Sequence, residues 1–118
     1  MNTFSLDFLK KHNLENKIKR IVQVPTFSLK NILDKYLKKN DRLDFFDIDV
    51  EGMDLEVLKS NDWEKYRPKV IVIETDISLK QDIDSEIVNY LKTQDYSLRG
   101  KSIINGDLGN LFLVNQRL

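Results

Sequence analysis

Asp44-Phe45-Phe46-Asp47-Ile48-Asp49-Val50-Glu51-Gly52-Met53-Asp54 is the stretch that decides the fold. It reads as a buried strand, a tight exit at Gly52 and the first turn of a helix. Side chains alternate between the two faces of a strand. Asp47, Asp49 and Glu51 therefore share one face, and Phe46, Ile48 and Val50 share the other. A strand covered on both faces is apolar nearly throughout, and an unpaired buried carboxylate is costly. A row of three acids on such a strand needs a reason.

Downstream of the turn, Met53, Leu55, Val57 and Leu58 mark a helix. Asp54 and Glu56 stand in its first turn, where the helix dipole favours acids. Ser60–Glu64 ends this helix or starts a new turn. Lys69-Val70-Ile71-Val72-Ile73-Glu74, after Pro68, is the most continuous apolar run in the chain. That is the signature of a central parallel strand. The connection from Val50 to Val70 has the length of a right-handed crossover. The strands at 43–50 and 69–74 are therefore expected as parallel neighbours. Ile83, Ile87, Val88, Tyr90 and Leu91 predict a helix over 82–94. Tyr96, Leu98 and Ile103 alternate with polar residues as an outer strand does, and Leu111–Val114 reads as a final strand. The turn-rich loop between them is too short for a crossover, so the pair forms an antiparallel hairpin.

Upstream, residues 20–25 read as a short strand stopped by Pro25. Ser28 is a good N-cap for a helix carrying Leu29, Ile32, Leu33, Tyr36 and Leu37 at helical spacing. Residues 1–19 form an N-terminal arm or a short amphipathic helix built on Phe4, Phe8 and Leu9. The fold class is α/β, with parallel strands and an antiparallel C-terminal hairpin, in one domain over 20–118.

Composition narrows the function. Lys+Arg and Asp+Glu are both 19 in 118 residues, so no global field draws the chain to nucleic acid or an anionic membrane. The absence of cysteine excludes disulfides, thiol nucleophiles and thiolate metal sites. The single histidine, His12, rules out a histidine-based metal cluster, and its Lys-Lys-His-Asn setting reads as surface. No apolar run approaches the roughly 18 residues of a bilayer span, and no signal-peptide core is present at the N-terminus. A cytoplasmic protein is the default expectation.

Parallel α/β sheets bind ligands outside the carboxyl ends of their strands. Asp49 and Glu51 end one strand, and Glu74 with Asp76 ends its neighbour. Strands lie ~4.8 Å apart, so these carboxylates can converge. They could orient a substrate hydroxyl or act as its general base, or offer hard oxygen ligands to Mg²⁺ or Ca²⁺. The plainer alternative has Glu51 or Asp49 capping the next helix and Asp47 pairing with a lysine. Trp63, Tyr66 and Tyr36 read as core or rim packing in preference to a stacking platform. Lys35, Lys38 and Lys39 read as a solvated helix face in preference to a phosphate patch.

Three segments together resemble the C-terminal half of FkbM-type S-adenosylmethionine-dependent methyltransferases. They are Val24-Pro-Thr-Phe-Ser-Leu-Lys-Asn-Ile-Leu, then Leu43-Asp-Phe-Phe-Asp-Ile-Asp-Val-Glu-Gly-Met-Asp-Leu-Glu-Val-Leu-Lys, then Pro68-Lys-Val-Ile-Val-Ile-Glu. The likeness covers about residues 20–115. It implies a class I methyltransferase sheet with its last strand inserted antiparallel beside the fifth. It also implies O-methylation of a small hydroxyl-bearing substrate, with S-adenosylmethionine as cofactor and Asp49, Glu51 and Glu74 as catalytic candidates. The chain departs from the family in two ways. Family members usually carry Lys where Asp47 stands. They also bind the cofactor through an N-terminal Gly-rich turn, whereas the four glycines here, Gly52, Gly100, Gly106 and Gly109, form no such unit. The expectation is the C-terminal portion of an O-methyltransferase, inactive without a cofactor-binding half. The alternatives are a non-catalytic oligomerising or interaction module and a small acidic metal- or ligand-binding domain. The flank of the 43–50 strand lacks an encoded neighbour, and open apolar edges invite association. A homo-oligomer, a separately encoded N-terminal half, or cover by the chain's own residues 1–25 is therefore expected.

Overall fold

A computed structural model describes residues 6–117 of the chain. In chain order it contains α1 (Leu6–Lys11), a 3-10 turn (Glu15–Lys17), α2 (Leu29–Tyr36), β1 (Phe45–Ile48) and α3 (Asp54–Lys59). β2 (Val70–Thr75), α4 (Leu79–Ile83), α5 (Glu86–Thr93), β3 (Tyr96–Asn105) and β4 (Leu108–Asn115) follow. The four strands form one sheet in the order β1-β2-β4-β3. β1 and β2 are parallel, with Phe45 opposite Val70 and Ile48 opposite Ile73. β4 runs antiparallel to both β2 and β3. The mixed α/β class, the parallel pair and the C-terminal hairpin are all as expected.

One face of the sheet carries the core. Phe46 and Ile48 of β1, Ile71 and Ile73 of β2, and Leu111 and Leu113 of β4 are buried at alternate positions. Leu58 of α3, Val88 and Leu91 of α5, Trp63 and Tyr96 close over them. Each such side chain contributes roughly 1.5–3 kcal/mol by leaving water. Trp63 is the hub of the layer. Its ring meets Phe46 and Tyr96 edge-on at centroid distances of 6.5 and 5.5 Å. Its indole N–H donates both to the Leu58 carbonyl and to the Tyr90 hydroxyl. Tyr96 donates its hydroxyl to the Pro68 carbonyl at 2.7 Å, and burial pushes its pKa up to about 12.

The opposite face is open. Phe45 and Asp47 of β1 are exposed, Phe45 at 63%, and so is Phe112 of β4, across β2 from Asp47. The strand expected to be buried on both faces is buried on one, which removes much of the cost of its acids. The strand is also shorter than 43–50, because its ladder to β2 spans only Phe45–Ile48.

Three further expectations change. Residues 20–25 form no strand: the segment is exposed and unpaired. The helix expected over 82–94 is two helices. Ser85 accepts from the Val88 N–H and donates to the Asp82 carbonyl, which starts α5 afresh. Tyr36 is exposed, whereas Trp63 and Tyr66 are core. α1 supplies the short N-terminal helix, but Phe4 lies outside the described residues. Ser28 caps α2 as expected, accepting from the Asn31 N–H.

Gly109 is fixed by proximity. It sits between Thr75 of β2 and Ile103 of β3, and a Cβ there would lie 2.0 Å from the Ser102 carbonyl oxygen. Backbone cannot retreat without opening the hairpin. Gly109→Ala is expected to destabilise the domain by about 3 kcal/mol, read as a lower urea midpoint. An unchanged midpoint would contradict this packing.

Candidate active site at the strand ends

After β1 the chain reverses within one turn. The Val50 carbonyl accepts from the Met53 N–H at 3.3 Å. Both intervening residues have positive φ, 51° at Glu51 and 93° at Gly52. This is the pattern of a type I′ turn. Gly52 adopts it without steric cost, but Glu51 does not. Asp54 braces the turn, its carboxylate accepting from the Val50 N–H at 3.3 Å. Met53 occupies the N-cap of α3 and makes no side-chain cap. The capping role considered for Asp49 or Glu51 is therefore not theirs. Among the described residues, neither makes an ion pair or a side-chain hydrogen bond. The lysine contact considered for Asp47 belongs instead to Asp44, which pairs with Lys69 at 2.7 Å and Arg42 at 3.2 Å.

The acids that end β1 and β2 open into one cleft of about 640 Å³. Asp49, Glu51 and Gly52 line it from β1 and its turn, Glu74 and Asp76 from β2, and Lys11 and His12 from the end of α1. The expected convergence of Asp49, Glu51 and Glu74 is present in that sense. Asp47, one step earlier, lies outside this lining on the open face. Glu74 has its pKa raised, first by desolvation and then by the negative charges of Asp49, Glu51, Asp54 and Asp76. Among the described residues, no group of three or more His, Asp or Glu side chains is placed to hold a metal ion. No helix among the described residues is long and apolar enough to cross a membrane.

Beneath the cleft lies an ion pair that sequence reasoning missed. Lys101 of β3 reaches Asp82 of α4 at 2.8 Å, and both side chains are only 1% exposed. Thr75, next to Glu74, donates its hydroxyl to the other Asp82 oxygen at 2.7 Å. Lys101 also donates to the Ile77 carbonyl. The network ties the loop after β2 to α4 and β3, and so fixes the base on which Glu74 and Asp76 stand. A partial signal was present. Ser78 and Gln81 make a capping box that starts α4, and this places Asp82 in its first turn. Nothing around Lys101 distinguishes it from a surface lysine.

The described residues thus define an α/β domain with an acidic cleft at the carboxyl ends of its parallel strands. The sequence model of the Methyltransferase FkbM domain matches residues 3–98, and the chain belongs to that methyltransferase family. The match takes in α1 and the segment that follows it, which the likeness over 20–115 did not include. No curated protein and no solved structure matches the chain.

The cleft makes two predictions. The raised pKa means that the folded chain holds the Glu74 proton more tightly than the unfolded chain does. Stability is therefore lost as the pH rises from the ordinary glutamate value through the raised one. Glu74→Gln is expected to raise the thermal midpoint at pH 7 and to leave it unchanged below about pH 3. An equal or lower midpoint at pH 7 would count against the crowding of charge. Glu51→Gly is expected to raise stability by about 1 kcal/mol by relieving the left-handed backbone. A drop in the urea midpoint would argue against that conformation.

Proposed function

We propose that this chain supplies the acceptor side of an S-adenosylmethionine-dependent O-methyltransferase acting on a small hydroxyl-bearing substrate. The observation that carries this reading is the meeting of Asp49, Glu51 and Glu74 in one cleft, in a chain of the FkbM methyltransferase family. The strand order supports it. β4, antiparallel between β2 and β3, matches what the likeness to a class I methyltransferase sheet implies for its C-terminal end.

Glu74 is the general base of this proposal. Its raised pKa brings it closer to the neutral range, where a carboxylate is a better proton acceptor. Asp49 and Glu51 accept hydrogen bonds from the acceptor and hold its hydroxyl toward Glu74. As the hydroxyl oxygen becomes nucleophilic, its proton passes to a Glu74 carboxylate oxygen. The Asp82–Lys101–Thr75 network keeps the strand end from shifting as that charge moves.

In this reading the chain lacks the glycine-rich turn that the family uses for the cofactor. The turn after β1 holds one glycine, Gly52. No glycine follows β2 before α4. The cofactor-binding unit therefore comes from other residues, in a further segment or a separately encoded half. Isothermal titration of the isolated chain with S-adenosylhomocysteine is expected to give a dissociation constant weaker than about 1 mM. Micromolar binding by this chain alone would overturn the division of labour. If a glycine-rich unit restores cofactor binding but Glu74→Gln leaves methyl transfer intact, the assignment of the base is wrong.

A further inference from the structure

We propose that the cavity where the chain enters β1 and β2 binds the phosphate group of a small organic phosphomonoester. The cavity lies at the end of the sheet opposite the acidic cleft. The proposal therefore goes beyond the catalytic reading and does not depend on it.

The cavity measures about 670 Å³ and takes its walls from two connections. Lys38, Lys39 and Asp41 belong to the one that leads into β1, and Glu64, Lys65 and Arg67 to the one that leads into β2. The Lys69 and Val70 N–H groups both donate to the Asp44 carbonyl, which ties the two connections together. Lys38 and Lys39 were expected on one solvated helix face with Lys35. α2 ends at Tyr36 instead, and the turn beyond it carries both lysines to the cavity. Asp41 closes that turn. Its carboxylate accepts from the Lys38 N–H at 2.8 Å, and its own N–H donates to the Lys38 carbonyl at 3.0 Å.

Four cationic and two acidic side chains line the cavity, an excess of two positive charges. Neither acid neutralises a cation within it. The Asp41 carboxylate is engaged by backbone, and Glu64 pairs with Arg117. Lys65 pairs with Asp34, which already holds Lys30. Among the described residues, Lys38, Lys39 and Arg67 have no carboxylate partner. Arg67 is the most telling of the three, because it is half-buried. Its guanidinium donates to the Trp63 and Gln94 carbonyls and lies 5.2 Å from the Tyr96 ring centroid. These contacts orient the group and leave its charge unneutralised. A charge drawn out of water is costly unless it is paired, and an anion in the cavity supplies the pair.

The cavity also selects the kind of anion. A phosphomonoester carries about −1.5 to −2 charges near neutral pH and presents three acceptor oxygens. That matches both the charge excess and the three unpaired cations. The guanidinium meets such oxygens with a planar fork and each lysine with a point charge. A carboxylate, with one charge, leaves part of the excess unmet. Leu37, Leu43 and the Tyr66 ring supply apolar wall. The body of an organic ester leaves water against it, whereas inorganic phosphate has nothing to place there.

Titration of the chain with phenyl phosphate at fixed ionic strength, followed by amide NMR, tests the site. The amides of 37–43 and 64–67 are expected to shift together and saturate, with a Kd of about 1 mM or tighter. Inorganic phosphate is expected to move the same amides and bind roughly fivefold more weakly. Lys38→Glu with Lys39→Glu is expected to weaken phenyl phosphate binding by roughly tenfold or more. Both side chains are exposed, so the thermal midpoint of this variant stays near that of the natural chain. Lys80→Glu with Lys92→Glu makes the same change of charge outside the cavity and is expected to alter binding less than about twofold. No saturation by about 10 mM, or equal losses in the two double variants, would overturn the site. Equal affinity for the two phosphates would overturn the organic ester as its ligand.

Discussion

The register between β1 and β2 is the constraint on which the rest depends. Because side chains alternate with a period of two, a slip of one residue would exchange every inward and outward position. Phe46 and Ile48 would turn away from Trp63 and Leu58, and Asp47 would enter the core. The covered face prevents this. Ile71 and Ile73 are almost fully buried, and their partners in β1 have to be the apolar residues that α3 and Trp63 can close over. The same register sends Asp49 and the turn behind it out at the carboxyl end, next to Glu74. The core and the cleft are thus two results of one alignment.

Much of this was legible because it follows from period and punctuation. The Val70–Ile73 run, the crossover length, the Ser28 cap and the turn-rich loop before β4 gave the sheet and its hairpin. What escaped was set by tertiary context. No local pattern tells whether the second face of a sheet is covered, so β1 read as buried on both sides. Ile21, Val22 and Val24 read as a strand, but a strand exists only with a neighbour. The 82–94 periodicity hid a break because Ser85 is tolerated within a helical pattern and caps one equally well. Of the residues lining the cleft, Asp49, Glu51 and Glu74 were expected there from strand ends alone. Lys101 could not, because its importance comes entirely from an Asp on another element.

The ion pairs divide by environment. Arg42–Asp44, Lys69–Asp44 and Arg117–Asp95 lie at the surface, where solvent screening leaves each worth little. Asp82–Lys101 is different. Its charges are out of water, and two further oxygen partners, the Thr75 hydroxyl and the Ile77 carbonyl, satisfy part of what burial removes. Such a pair adds less to net stability than its distance suggests, but losing one partner strands the other. It specifies where the loop after β2 sits, so the placing of Glu74 rests on a contact between helix and hairpin.

Glu51 occupies a backbone conformation that favours glycine, and in the genetic code glutamate and glycine are a single base change apart. The chain therefore stands one step from a more comfortable turn, with Gly52 already at the next position. A substitution that accessible, and that favourable to folding, would be taken up readily if the backbone were the only consideration. The side chain at 51 thus costs its own turn a strain that glycine would not carry.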